Sequence, residues 1–257
     1  MAELLFWPAL LAYGEAAVAL GAEARRPGVA GRLAIWGVRV GWLAQTALLI
    51  AQAARSDGFP WSSWAGALNL FSWLVVGAYL FYGSRPRFRL LGLAVMPVAA
   101  ALLVAAYAGG GADERGDGTS WLLATHVALM LAAFAGFTVA AGLSGFYLWH
   151  ERRLKRREAT VLRLRVPPLE ALDSLAARTI AVSLGVLTLG IAFGLASLAV
   201  DGGGFDTAMA ATLAAWAVYA GFLLLRQLQA LHGRLAARLS LLAFLVVVAV
   251  FPVVHFA

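Results

Sequence analysis

The 257-residue chain contains no cysteine. That removes disulfides, thiolate metal sites, thiol redox chemistry and any Cys-x-x-Cys-His attachment of a haem, so the chain is not itself a c-type cytochrome. Charge is also scarce. Only 13% of residues are Asp, Glu, Lys or Arg, against 62% hydrophobic, and the mean hydropathy is +0.83. This is too little polar surface to cover a water-soluble globule of this size, so the solvent of the chain is mostly lipid. No nucleophile with an adjacent base, no metal-ligand cluster and no phosphate-cradling glycine loop at a helix start supports an enzyme. Net charge is +7; in a soluble protein it would raise nucleic-acid binding, but the placement of the charges argues against that here.

Apolar runs fall near residues 4-22, 33-54, 64-82, 90-108, 121-149, 179-200, 207-225 and 235-256. Each is close to the roughly 20 helical residues that cross a hydrocarbon core. The expected fold is therefore all-α, a polytopic integral membrane bundle of eight transmembrane helices forming one membrane domain over 1-257. The first run follows Glu3 with no basic residue ahead of it, which marks a true span and not a signal peptide. Turn signals separate the runs: Arg-Arg-Pro-Gly at 25-28, Ser-Asp-Gly-Phe-Pro at 56-60, Ser-Arg-Pro-Arg at 84-87 and Asp-Gly-Gly-Gly at 201-204. Assigning the loops alternately puts 17 Lys and Arg on one side and only Arg55 and Arg115 on the other, with Arg39 inside a span. Excess cations mark the cytoplasmic side, so both termini are expected outside, in a bacterial cytoplasmic (inner) membrane. The basic charge is thus a matter of topology, and no nucleic-acid partner is expected.

Within the spans, Glu15 and Arg39 fall at similar depths of an antiparallel hairpin, which suits a structural intramembrane ion pair or an arginine that snorkels inward or, as the alternative, a proton or substrate pathway. Pro97 and Pro252 are expected to kink or end their helices. Trp61, Trp64 and Trp121 lie near outer helix ends, where aromatic belts form. Of the four histidines, His126 and His255 fall at the outer level, whereas His150 and His232 fall at the inner surface beside Glu151-Arg-Arg and in the last cytoplasmic loop. Two histidines at one depth on facing helices meet the geometric condition for bis-imidazole haem ligation, although interfacial hydrogen-bonding histidines meet it equally.

Thr125-His126-Val-Ala-Leu-Met, running on through Ala132-Ala-Phe-Ala-Gly-Phe to Gly145-Phe-Tyr-Leu, resembles the span of the cytochrome c assembly protein family (CcsA/CcmC-like) that opens with an outward-facing histidine. Val166-Pro-Pro-Leu-Glu-Ala-Leu-Asp and Leu187-Thr-Leu-Gly-Ile-Ala-Phe-Gly look like that family's next loop and span. Gly58-Phe-Pro, Asn69-Leu-Phe-Ser-Trp and His232-Gly-Arg-Leu-Ala-Ala-Arg are similar to its earlier turn and span and to its basic last turn. The departures are informative. The tryptophan-rich outer segment of the family's haem-attaching synthases is replaced by Asp201-Gly-Gly-Gly-Phe-Asp. Its intramembrane histidines fall on Gln45, beside Thr46, and near Leu224. This pattern resembles the HemX-type branch more than a synthase.

The resemblance implies a membrane protein that binds or handles haem b at its outer face, with His126 as one axial ligand and His255, chosen by depth, as the other. It would act in haem trafficking, cytochrome c maturation or control of tetrapyrrole synthesis, and its partners would be haem, the bilayer, and a cytoplasmic tetrapyrrole-synthesis enzyme or cytochrome c maturation proteins. Two other readings stand beside it. One is a haem-independent scaffold holding a cytoplasmic partner through the basic loop from Arg152; the other is a small-molecule transporter, for which Glu15 and Arg39 are the only hints.

Overall fold

The computed structural model describes residues 2–25, 28–54, 63–109, 120–157, 167–201, 204–229 and 231–256; for 2–4, 25, 201 and 249–256 it describes only the backbone. Among these residues there are eight α-helices and no strand: α1 (Ala2–Arg25), α2 (Ala30–Ala53), α3 (Trp64–Gly83), α4 (Gly92–Ala108), α5 (Trp121–Lys155), α6 (Leu169–Asp201), α7 (Thr207–Leu228) and α8 (Arg234–Phe256). A 3-10 turn, Arg89–Leu91, leads into α4. Helices are the expected solution for an apolar chain, because lipid offers no partner for backbone N–H and C=O groups and each helix satisfies its own. Seven of them, α1 to α7, are long and apolar enough to cross a membrane. The 23 residues of α8 would cover about 34 Å at 1.5 Å per residue.

Most boundaries follow the apolar runs within a few residues, and α4 continues through Pro97. Two helices run further at one end. Helix α5 continues to Lys155, and α6 begins at Leu169, directly after Pro167-Pro168 and ten residues before its apolar run. Apolar composition marks only the part of a helix that lies in lipid. The extra turns of α6 are amphipathic: Glu170 and Arg178 are exposed, whereas Leu172 and Ala176 are buried.

At one end of the bundle the N-termini of α3, α5 and α7 are capped by side chains. Ser63 accepts from Gly66 N (3.0 Å), Ser120 from Leu123 N (3.3 Å) and Asp206 from Met209 N (2.7 Å), each satisfying a backbone donor that would otherwise be orphaned. The opposite end is tied by charge. Glu23 accepts from the backbone N–H groups of Gly28 and Gly31 at the start of α2 and lies 3.8 Å from Arg89. Asp173 of α6 forms a two-pronged pair with Arg226 of α7 (3.1 and 2.6 Å) and also accepts from Gly233 N ahead of α8 (3.2 Å). Gly233 has φ +70, a left-handed conformation that glycine adopts without strain.

The interior divides into two clusters. One joins α1 to α4 with the C-terminal half of α5, the N-terminal part of α6 and Ala237 of α8, around Tyr13, Tyr79, Met96, Leu143 and Leu172. The other joins α5 to α8 around Phe137, Ile180, Leu187 and Tyr219, with the Phe137 and Tyr219 rings stacked at 3.7 Å between centroids. Helices α5 and α6 approach closely because glycine stands at their contact: a Cβ on Gly136 would overlap Ser183, and one on Gly190 would lie 3.2 Å from Met130 Sδ.

Candidate functional site

His126 lies between the first and second turns of α5, below the Ser120 cap. Its half-buried ring rests against α6. Nδ1 is 2.7 Å from the carbonyl oxygen of Gly190. The ring occupies the space that a side chain at position 194 would fill, since a Cβ there would come within 2.6 Å of Nδ1 and 2.7 Å of Cε1. The missing side chain of Gly194 and the carbonyl of Gly190, one turn apart on α6, thus form a slot for an imidazole. A carbonyl only accepts, so this bond requires the proton on Nδ1 and leaves the lone pair on Nε2. Such a histidine is oriented by its backbone partner, which is how metal-ligating histidines are commonly held. Beside the slot, Trp121 meets Phe193 edge to face at 6.3 Å.

Helix α8 runs antiparallel to α5. Near its start Arg234 lies 3.7 Å from Glu151, close to the C-terminal end of α5. At 1.5 Å per residue, position 126 is roughly 37 Å above Glu151 and position 255 roughly 31 Å above Arg234. The backbone at 255 therefore comes to within about two turns of the level of His126. The side chain of His255 lies outside the described residues, as do Trp61, Arg55 and Arg115.

Gln45, which stands where the resemblance would put an intramembrane histidine, is completely buried. Its Oε1 accepts from the Tyr13 hydroxyl at 2.6 Å, and its Nε2 donates to the backbone and side-chain oxygens of Asn69 at 3.1 and 2.8 Å. Asn69 Nδ2 in turn donates to Gln52 at 2.8 Å. One turn from Gln45, the Trp42 and Trp73 rings stack at 4.9 Å, and Trp73 donates to Thr46. An amide nitrogen has no lone pair to offer iron and the amide oxygen is already engaged, so Gln45 does not fit an axial ligand. Leu224, the other substituted position, is 56% exposed on α7.

A sequence profile of the family described as Cytochrome C assembly protein matches residues 61–256, most of the chain. The chain belongs to the cytochrome c assembly protein family. It is similar to Protein HemX of Brevibacillus brevis, 29% identical over 169 residues, covering 64% of this chain and 61% of the relative. It is also 32% identical over 145 residues to a 28.8 kDa protein of Azospirillum brasilense described as uncharacterized and lying in a nifR3-like 5′ region, covering 55% of this chain and 54% of that one. The chain thus spans somewhat more than half the length of each of these relatives. The family match takes in α3 to α8, and with them His126, Gly190, Gly194 and position 255; α1 and α2 precede it.

The remaining expected residues are dispersed. His150 is 6% exposed near the C-terminal end of α5, its ring against Phe146 and its Nδ1 without a hydrogen-bond partner. His232 is exposed ahead of α8. Glu15 is exposed on α1, while the Arg39 guanidinium lies 5.1 Å over the Trp36 ring. No ion pair joins Glu15 and Arg39 among the described residues. No group of three or more His, Cys, Asp or Glu able to hold a metal ion occurs among the described residues, so a multi-carboxylate or zinc-type centre finds no support there.

Proposed function

We propose that this family member is a haem-binding, haem-handling protein of the bacterial cytoplasmic membrane, HemX-like, that holds haem b at its outer face through His126 and His255. The observation that carries this reading is the His126–Gly190 hydrogen bond. It fixes the tautomer with Nε2 available and seats the ring in a glycine slot built for it, which is more than an interfacial histidine needs. The similarity to Protein HemX and to the family profile adds the haem context. Bound there, haem would supply an iron with two imidazole ligands and no open position, which suits carrying or sensing haem over oxygen chemistry. The chain's own residues do the rest: Gly190 and Gly194 orient the ligand, and Trp121 and Phe193 offer apolar surface for a planar group. The biological setting on this reading is haem trafficking, cytochrome c maturation or control of tetrapyrrole synthesis, with a cytoplasmic tetrapyrrole-synthesis enzyme or cytochrome c maturation proteins as partners.

Absorption spectroscopy tests this directly. Protein purified from haem-supplied membranes should show a six-coordinate Soret band. His126→Ala and His255→Ala should each weaken it or shift it toward a five-coordinate form, whereas His150→Ala and His232→Ala should leave it unchanged. A normal six-coordinate spectrum in the His126→Ala/His255→Ala double variant would refute the assignment even if haem is bound elsewhere.

A further inference from the structure

Helices α1 and α2 lie ahead of the family match and pack on each other through small residues. A Cβ on Gly37 would sit 3.5 Å from the Ala12 carbonyl and 3.7 Å from the Ala16 side chain, and one on Gly41 would overlap the Tyr13 ring at 2.7 Å. This contact sets the register of the hairpin and brings Glu15, midway along α1, level with Gly37 to Arg39. The structure therefore holds an acid and a base at one depth, within helices long and apolar enough to span a bilayer, and yet does not pair them. Glu15 is exposed in a stripe with Leu11 and Val18, which are 68% and 76% exposed. Arg39 is half-buried, held over Trp36, itself 63% exposed.

A carboxylate facing hydrocarbon is costly, and intramembrane charges are nearly always turned to the interior of a bundle and paired. Something must cover this face, and its charges say what. In a dimer whose two-fold axis runs along the membrane normal, every residue keeps its depth, and an isologous contact places each copy's acid against the other copy's base. Gly14 and Gly21 would meet nothing within 4 Å if given a Cβ, so α1 leaves room for another helix to approach closely. We propose that the chain forms a two-fold homodimer through the exposed face of α1 and α2, with Glu15 of each copy paired to Arg39 of the second copy.

Charge exchange between chains separates this pair from one within a chain. Glu15→Arg gives a chain with two cations at that depth, and Arg39→Glu gives one with two anions. Each alone should lose self-association by about a hundredfold, the scale of an unpaired mid-membrane charge. Co-expressed with different tags, the two should co-purify as a mixed dimer, because both contacts between chains are then opposite in sign while both within chains are alike. Rescue by the Glu15→Arg/Arg39→Glu double variant without rescue in the mixture would place the pair inside one chain and overturn the proposal. A second measurement keeps both charges and so does not depend on how the exchanged chains fold. The natural sequence has no cysteine, so Leu11→Cys in one chain and Val40→Cys in another are the only thiols. Oxidation in membranes should join them, and should not join Leu11→Cys to Val182→Cys on α6. A monomeric wild type in nanodiscs, or no cross-link above that control, would also overturn the proposal.

Discussion

Replacing Gly194 by alanine should disable the His126 slot without touching any ligand. The added methyl would start 2.6 Å from His126 Nδ1, where ordinary contact needs 3.4–4 Å. The ring must therefore retreat from α6 by about 1 Å, taking the 2.7 Å bond to Gly190 beyond hydrogen-bonding range. Loss of such an orienting partner typically costs about 10–100-fold in metal affinity, or about 1.4–2.8 kcal/mol. Overpacking adds about 1–3 kcal/mol of destabilisation where the surroundings cannot relax; His126 is only half-buried, so the lower part of that range applies. Gly185 of the same helix is the control, because a Cβ there would meet nothing within 4 Å and Gly185→Ala, in mid-helix, should not destabilise the fold and should add about 0.5–1 kcal/mol of helix stability. The assay is haem titration of the purified protein in nanodiscs, followed at the Soret band, with far-UV circular dichroism to confirm retained helix. Gly194→Ala binding haem as tightly as Gly185→Ala and the wild type, with the same spectrum, would show that the slot does not hold the ligand.

The Asp173–Arg226 pair joins α6 to α7 with side chains only 10% and 12% exposed. Asp173→Ala should lower unfolding stability by about 2–3 kcal/mol, under the roughly 3–5 of a fully buried pair broken on one side, and an unchanged denaturation midpoint would count against a clamp there. For topology, a reporter active only in the cytoplasm and fused after Ala257 should be inactive; activity would mean an odd number of spans or the reverse orientation.

The apolar helices were legible, seven of them long and apolar enough to cross a membrane, because hydrocarbon imposes a length and excludes charge, and both leave marks in one dimension. The turns outside lipid were not. Leu169 to Arg178 interleaves Glu170, Asp173 and Arg178 with apolar residues, so it reads as loop, yet Leu172 and Ala176 are buried and the segment is helix. The same limit governed the charges. Counted by sign, Arg226 and Asp173 inform topology alone; that they meet is a fact of how α6 and α7 pack. The candidate site was half legible. His126 stood out as the histidine one turn or so inside a span, but its partner is 64 positions away, and Gly190 and Gly194 carried no signal beyond the general use of glycine for close helix packing.

Gln45 shows why a substitution has to be read in three dimensions. Aligned with an intramembrane histidine, it registers only as a missing ligand. In the fold it is the junction of a chain of hydrogen bonds from Tyr13 on α1 through Asn69 on α3 to Gln52 on α2. In a low-dielectric interior a satisfied polar network rigidifies and fixes register, whereas an incomplete one is costly. The glutamine has thus given this position a structural task that an imidazole, with one donor and one acceptor, could not complete: Gln45 uses two donors toward Asn69 and one acceptor toward Tyr13. A haem ligand and this network exclude each other at position 45. That exclusion concentrates the case for haem on His126, which α6 holds by Nδ1 while its Nε2 stays free.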